Sequence, residues 1–168
     1  MKKLILPLIL LLLTLSVLLT AFHFSQKSRE REQVFFDFNP SDFEPIDTNT
    51  TIGEKLFTVL IFYSYDCELC HYEAEIIKKC KVLDNVEFIW VSSNISELAK
   101  DFYRSTGLDT MIFHMIARME PDLIFDKYKI PGTPSIIIYK NGKLLKKRNG
   151  MMDISELNKI FNVNELVR

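Results

Sequence analysis

Cysteine is scarce in this chain, with three residues in 168. That is too few for a disulfide scaffold, so any cysteine chemistry has to be local. An excess of charge of either sign is missing too. With 21 basic and 22 acidic side chains the net charge is −1, which leaves no basic surface for nucleic acid as a main partner. There is no internal repeat and no low-complexity tract, and 26% charged residues rule out a disordered tail. The length allows one domain, two at most, with one real core.

Charge is also absent from Leu4 to Phe24, an apolar run broken only by Pro7, Thr14, Ser16, Thr20 and His23 and preceded by Lys2 and Lys3. Such a run is long enough to cross a hydrocarbon core of ~30 Å. Residues 1–24 are therefore expected to form a transmembrane anchor with the lysines in the cytoplasm and the rest of the chain outside it. A cleaved signal peptide is the alternative. The apolar stretch is long for one, and a small-x-small site is hard to find near Thr20-Ala21-Phe22. No cysteine there could take a lipid. Residues 25–51 read as a linker with one short strand at Val34–Phe38, whose Phe residues are expected to pack on the domain as a strand or lid. The folded domain is expected over residues 52–168.

Leu56–Ser64 and Val86–Ser92 are near-continuous apolar runs, the pattern of strands covered on both faces. Cys67–Leu83 has helical spacing. Asn94 with Glu97 three residues on reads as a capping box, opening a helix that ends near Gly107. Met111–Met119 fits either a strand or a helix. Pro121–Tyr128 reads as a short helix with Pro at its start. Ser135–Tyr139, Asn141-Gly142 and Lys143–Lys147 make a hairpin signal, and Asp153 with Glu156 caps a last helix. This order predicts a right-handed βαβ unit plus a hairpin, giving a mixed α/β sheet with helices on both faces.

Cys67-Glu68-Leu69-Cys70 follows a buried strand and opens a helix. Helix N-termini carry unpaired N–H groups and a partial positive charge, so a thiolate at Cys67 is stabilised and nucleophilic. Cys70, one turn on, can close a disulfide with it, and such a dithiol exchanges disulfides through a mixed-disulfide intermediate. Cys80 sits ten residues further along the expected helix, ~15 Å from Cys70. A disulfide needs Cα atoms within ~7 Å, so Cys80 is expected to be free and buried. On a helical wheel with Cys67 at zero, Leu69, Ile76, Cys80 and Leu83 cluster at ~160–220°, and Glu68, His71, Glu75, Lys78 and Lys79 occupy a solvated arc at ~20–120°. Glu73 falls at ~240°, off the charged arc and beside Cys70 at ~300°. Burial there should raise its pKa and let it move protons to and from the Cys70 sulfur; the alternative is a carboxylate tipping out to solvent.

Gly132-Thr133-Pro134 precedes a strand, where proline is tolerated. A cis bond before Pro134 would bring this loop to the cysteines, with the Thr133 backbone free to pair with a substrate chain; an ordinary trans turn is the other possibility. Cys67-Glu68-Leu69-Cys70-His71 also matches the attachment motif of a c-type haem.

Together these residues resemble the thioredoxin superfamily, and most of all the membrane-anchored TlpA/ResA-like thiol–disulfide oxidoreductases of bacterial envelopes. The resemblance covers about Leu56 to Asn162. It rests on the strand before Cys67-x-x-Cys70, Glu73 three residues after the second cysteine, Tyr128-Lys129-Ile130 before Gly132-Thr133-Pro134, and the Asn141-Gly142 hairpin. It implies a thioredoxin-like fold, with Cys67 as the attacking thiol, Cys70 as the resolving one, Pro134 as the cis-proline and Glu73 as the active-site acid. The sequence departs from the family at Asp66, where an aromatic residue, usually Trp, precedes the first cysteine. It also departs at Leu69 and Glu75, where proline is common, and at Ile61, where a buried Asp or Asn is frequent. Ser105–Glu120 is unusually long and is expected to be an insertion shaping the substrate groove.

The expected activity is reduction of protein disulfides outside the cytoplasm, at the cell membrane on the periplasmic or extracytoplasmic side. It would need no organic cofactor and no metal, and an upstream thiol protein would supply electrons. Asp66 and Glu68 flank Cys67 and oppose its thiolate, which favours a reductant over a strong oxidant. The competing reading is a haem- or metal-binding module using Cys67, Cys70 and His71, with His114, Met111, Met115 and Met119 as the one other soft cluster. A non-catalytic interaction domain is the third reading, and the intact dithiol argues against it.

Overall fold

The computed structural model describes residues 14–22, 37–46, 52–80, 84–112 and 114–162. The chain divides into two units, Met1–Phe35 and Phe36–Arg168. In the first, residues 14–22 are helical, with Leu15, Val17, Leu18, Leu19 and Phe22 exposed. The Thr20 hydroxyl donates back to the carbonyls of Ser16 and Val17. No helix among the described residues is long and apolar enough to cross a membrane. The remainder of the 1–24 segment lies outside the described residues.

The second unit is a mixed six-stranded sheet. Its strands are β1 (Glu44–Pro45), β2 (Phe57–Phe62), β3 (Val86–Ser92), β4 (His114–Arg118), β5 (Ser135–Lys140) and β6 (Lys143–Asn149), in the order β1-β4-β3-β2-β5-β6. β2, β3 and β4 run parallel, while β5, β6 and β1 are antiparallel to their neighbours. Every residue of β2 and β3 is buried, as continuous apolar strands in a two-sided sheet must be. The Asn141-Gly142 turn has both residues at positive φ, 51° and 74°, the condition for a two-residue hairpin turn whose twist matches the strands.

The α-helices are α1 (Glu68–Lys78), α2 (Ser96–Ser105) and α3 (Ile154–Asn162). Their apolar faces pack with one side of the sheet: Cys70, Ala74 and Ile77 from α1, Phe102 from α2 and Phe161 from α3 join Val59, Ile61, Trp90 and Ile138. Among the described residues no α-helix packs on the other side. It is covered by a π-helical turn, Leu123–Lys127, by Tyr128 and by Phe43 from the N-terminal segment. The crossover helix α2 connects parallel β3 and β4, and right-handedness puts it on the face that α1 already occupies.

Several elements differ from the sequence expectation. Helix α1 stops at Lys78 rather than running on to Leu83, and Lys81–Leu83 lie outside the described residues. Asn94 does not cap α2; Ile95 holds the cap position and makes no side-chain bond there. Pro121 does open a helical segment, but it continues as a π-turn closed by Tyr128 N–H to Leu123 O at 3.0 Å. Met111–Met119 resolves into β4, and the strand expected at Val34–Phe38 is not formed by Asp37 or Phe38, residues 34–36 lying outside the described set. Instead Glu44 and Pro45 pair with β4, and Phe43 is buried. Asp42 accepts from Tyr128 Oη at 2.6 Å and from Lys127 Nζ. Residues 37–46 are thus integral to the packed unit.

Candidate active site

β2 delivers the chain to the site. Tyr63 N–H still bonds the Val91 carbonyl at 3.0 Å, after which the backbone leaves the sheet and turns through Ser64, Tyr65 and Asp66. Cys67 is the N-cap of α1. Its carbonyl accepts from Cys70 N–H at 3.0 Å and His71 N–H at 3.3 Å, and its Sγ accepts from Cys70 N–H at 3.1 Å. The sulfur therefore lies against the unpaired donors of a helix start, where negative charge is stabilised. Cys67 and Cys70 form a disulfide with Cα atoms 5.2 Å apart. Cys67 is half-buried and Cys70 fully buried, so an incoming sulfur can reach only the first. Cys80 is free and buried just past the end of α1, its Sγ against Asn158 Oδ1 at 3.3 Å. Burial pushes that thiol up to about 11.

Sequence reasoning missed what holds the turn before Cys67. Asn94 Oδ1 accepts from Tyr65 N–H at 3.3 Å and from Ser92 Oγ at 2.7 Å, while Asn94 N–H donates to Ser92 Oγ at 3.0 Å. The end of β3 thereby clamps the loop two residues ahead of the nucleophile. Asn94 was visible in the sequence only as a helix cap, a reading based on local spacing; its partner is 29 residues away. Asp66 is fully exposed, and its carboxyl lies below the usual range because Ser64 Oγ donates to it.

Glu73 is fully buried on α1, one turn past Cys70. Its carboxylate accepts from Met152 N–H at 3.1 Å. Burial pushes its pKa up from 4.5 to about 7, against lowering by that hydrogen bond and by the charge of Arg148. The buried face of α1 differs from the expected one. Cys70, Glu73, Ala74 and Ile77 are buried, whereas Leu69 is 53% exposed and Ile76 is half-buried. The sheet, not the apolar pattern of α1, selects the inward face, and Glu73 lies on it. Ile61, at the position where the family often has Asp or Asn, is buried on the same side of the sheet.

The Thr133–Pro134 bond is cis. Phe62 pairs with Ser135, so this loop leaves the sheet at the same edge as the turn leading to Cys67. Gly150 N–H bonds the Pro134 carbonyl at 2.8 Å and Ser135 Oγ donates to the Gly132 carbonyl, while Thr133 is exposed. The start of the Ser105–Glu120 stretch, Ser105 and Thr106, lines a pocket of about 300 Å³ with Glu68, His71, Tyr72 and Glu75 of α1. The stretch also builds β4, which widens the sheet beyond β3 and receives β1. The groove at this edge is walled by the π-turn residues Ile124 and Phe125 and by the Ile130–Thr133 segment.

The residues of the haem or metal reading fall in two places, Cys67, Cys70 and His71 at the start of α1 and His114, Met115 and Met119 at β4 and its end. Cys67 and Cys70 are joined to each other, and the His71 ring lies against Phe102 at 4.8 Å. His114 accepts from Trp90 Nε1 at 3.3 Å and stacks on Phe88 on one side of the sheet, while Met115 and Met119 pack on the other. Among the described residues no group of three His, Cys, Asp or Glu is placed to hold a metal.

A CxxC disulfide at the start of a helix, with a cis-proline loop at the same sheet edge, defines a thiol–disulfide oxidoreductase of thioredoxin-like fold. A family profile described as thioredoxin-like domain matches residues 45–163, and the chain belongs to that family. Among solved structures it is similar to MTB dsbF, at 17% identity and TM-score 0.60, over 74% of this chain and 92% of that one. StoA from Bacillus subtilis gives 18% and 0.56, over 71% and 94%. A secreted Mycobacterium tuberculosis disulfide oxidoreductase homologous to E. coli DsbE gives 16% and 0.52, over 74% and 93%. No curated protein sequence matches the chain.

Proposed function

We propose that the protein is an extracytoplasmic reductant of protein disulfides, held at the membrane by residues 1–24. The observation that carries the chemistry is the asymmetry of the pair, with a half-buried Cys67 at the helix start and a buried Cys70 one turn from buried Glu73. In the reduced protein the Cys67 thiolate attacks one sulfur of a substrate disulfide. An S–S bond forms to Cys67, the substrate's S–S bond breaks, and its other sulfur leaves as a thiolate. Glu73 takes the proton of the Cys70 thiol, and the new thiolate attacks Cys67 Sγ. The Cys67–Cys70 disulfide closes, and the second substrate sulfur leaves and is protonated. Two electrons pass to the substrate. An upstream dithiol protein restores the reduced pair by the reverse exchange. With a pKa of about 7, Glu73 is populated both as acid and as base near neutrality. The backbone of Thr133, beside cis-Pro134, is the edge to which the substrate chain pairs.

Asp66 and Glu68 support the reducing direction, since their charges beside Cys67 offset part of the helix-start stabilisation of its thiolate. The 1–24 segment supports the location: it is uncharged after Lys3, and its described part is helical with exposed apolar side chains. One structural neighbour is itself a secreted disulfide oxidoreductase. Titration of the pair against glutathione tests the direction. A potential well below the roughly −120 mV of strong oxidants is expected, and one near that value refutes it. Trapping on Cys70→Ser, where the mixed disulfide cannot resolve, should retain substrate proteins. Protease protection of the full chain in spheroplasts tests the location, with digestion of the domain only from outside as the expected result.

A further inference from the structure

Lys146, Lys147 and Arg148 follow one another on β6 but do not share a task. Lys146 and Arg148 both pair with Glu156, on the α3 side of the sheet. Lys147, between them, faces the other way, as alternation along a strand requires. There its Nζ donates to the Tyr128 carbonyl at 2.8 Å and to the Lys129 carbonyl at 2.7 Å. A register shift in β6 aims it: Leu144 opposes Tyr139 and Lys147 opposes Ile137, so residues three apart share the face on which Tyr128 is buried. Bulges recur where a side chain is re-aimed. The carbonyls it caps belong to a turn with Lys129 at φ 50°, a left-handed conformation that a residue with a Cβ disfavours. Asp42 holds the other flank of this turn through Tyr128 Oη and Lys127 Nζ. The chain then runs directly to Thr133. Ile130 N–H bonds the Ile124 carbonyl at 3.1 Å, and Ser135 Oγ holds the Gly132 carbonyl. The direction in which the backbone leaves Lys129 therefore decides where Thr133 arrives.

We infer that Lys147 is a positioning residue for disulfide reduction: its two bonds fix the left-handed turn at Lys129 and so hold the Thr133 backbone where a substrate chain pairs with it. The inference rests on the oxidoreductase reading and adds to it a side chain that touches neither cysteine. A charged donor is suited to the task, since hydrogen bonds from an ammonium are roughly twice as strong as neutral ones. Without those donors Lys129 relaxes toward the conformations its Cβ favours, and the Ile130–Thr133 segment follows. Cys67 and Cys70 are held by β2 and α1 and do not depend on this turn. Loss of Lys147 therefore weakens the grip on a substrate chain and leaves the thiol chemistry intact.

The test uses the reduced full chain in single turnovers with two disulfides. One is a disulfide-bonded peptide; the other is dithiobis(nitrobenzoate), which has no backbone to pair and also reports that each variant is folded. Lys147→Met should raise the peptide concentration that gives half-maximal rate by about tenfold, with the maximal rate and the small disulfide changed less than about twofold. Lys147→Arg keeps a charged donor and should retain most of the wild-type affinity. Lys143→Met, an exposed position on the same strand, should match wild type. Lys129→Gly removes the Cβ that makes the turn costly, so adding Lys147→Met to it should cost less than about threefold. Lys147→Met equal to wild type on the peptide, equal losses on both disulfides, or a tenfold loss undiminished in the Lys129→Gly background would each overturn the inference and leave the oxidoreductase reading standing. Failure of wild type to reduce either disulfide would bring down both.

Discussion

Replacing Glu73 with Gln isolates the buried acid, because the substitution removes the charge while an amide oxygen can still accept from Met152 N–H. The folded pKa of about 7 lies above the unfolded value of 4.5. The folded protein therefore keeps a proton that the unfolded chain has lost between those values. The stabilisation is complete below about 4.5 and disappears as pH rises through about 7. At 1.36 kcal/mol per pH unit the window is worth about 3 kcal/mol. Glu73→Gln should lack this slope. Its stability relative to wild type should improve by about 3 kcal/mol between pH 4.5 and pH 8. Urea unfolding with the disulfide intact, at pH 4.5, 6 and 8, measures it. The control is Glu75→Gln, an exposed carboxylate paired with Lys78, whose difference from wild type should not follow this pattern. The same pair of variants tests the kinetic role, with the rate-versus-pH curve of disulfide reduction shifting for Glu73→Gln alone. Parallel stability profiles for wild type and Glu73→Gln, or identical rate profiles for the two variants, would refute the reasoning.

His114 should give the opposite pH slope. Burial lowers its imidazole from 6.5 to about 4, so the unfolded chain binds the proton first, and stability present above 6.5 is lost as pH falls toward 4. His114→Phe should remove that acid loss in urea titrations, at a cost of about 1–3 kcal/mol for the unpaired Trp90 indole N–H. Cys80 should stay unmodified when the native, reduced protein is treated with iodoacetamide at neutral pH, and mass mapping should show it alkylated only after denaturation. Asn94→Ala should release Tyr65 N–H, loosen the turn that positions Cys67, and slow disulfide reduction by about tenfold. Asn94→Asp keeps the acceptor and should retain more of the rate; equal behaviour of the two variants would remove Asn94 from the clamp.

What was legible in the sequence was what depends on neighbours along the chain. β2 and β3 showed as apolar runs because two-sided burial leaves no polar face, and Asn141-Gly142 marked the hairpin because both residues must take positive φ. The position of Cys67 at a helix start follows from strand–turn–helix order alone. What escaped depends on contacts distant in sequence. The buried face of α1 is chosen by β2 and β5, so Leu69 could be apolar and exposed while Glu73 is charged and buried. β4 was ambiguous because a nine-residue apolar window does not separate strand from helix; its parallel pairing with β3 decides. Phe43 and Asp42 find their partners, Tyr128 and Lys127, some 85 residues on, beyond the reach of any local pattern.

The placement of the buried acid on the helix has a mechanical consequence. A carboxylate on β2 would sit on a different element from the cysteines, and its distance to Cys70 would vary with any shift of α1 against the sheet. Here Ile61 supplies only apolar contact, and Glu73 shares α1 with both cysteines. Residues three apart on a helix are neighbours whatever the helix does as a body, so the relation of acid to resolving thiol is carried by α1 itself. The restraint from outside is Met152 N–H, in the segment that opens α3. Displacement of that segment would leave the acid beside Cys70 while removing both the hydrogen bond that favours its charged form and part of the burial that opposes it, the larger of the two effects.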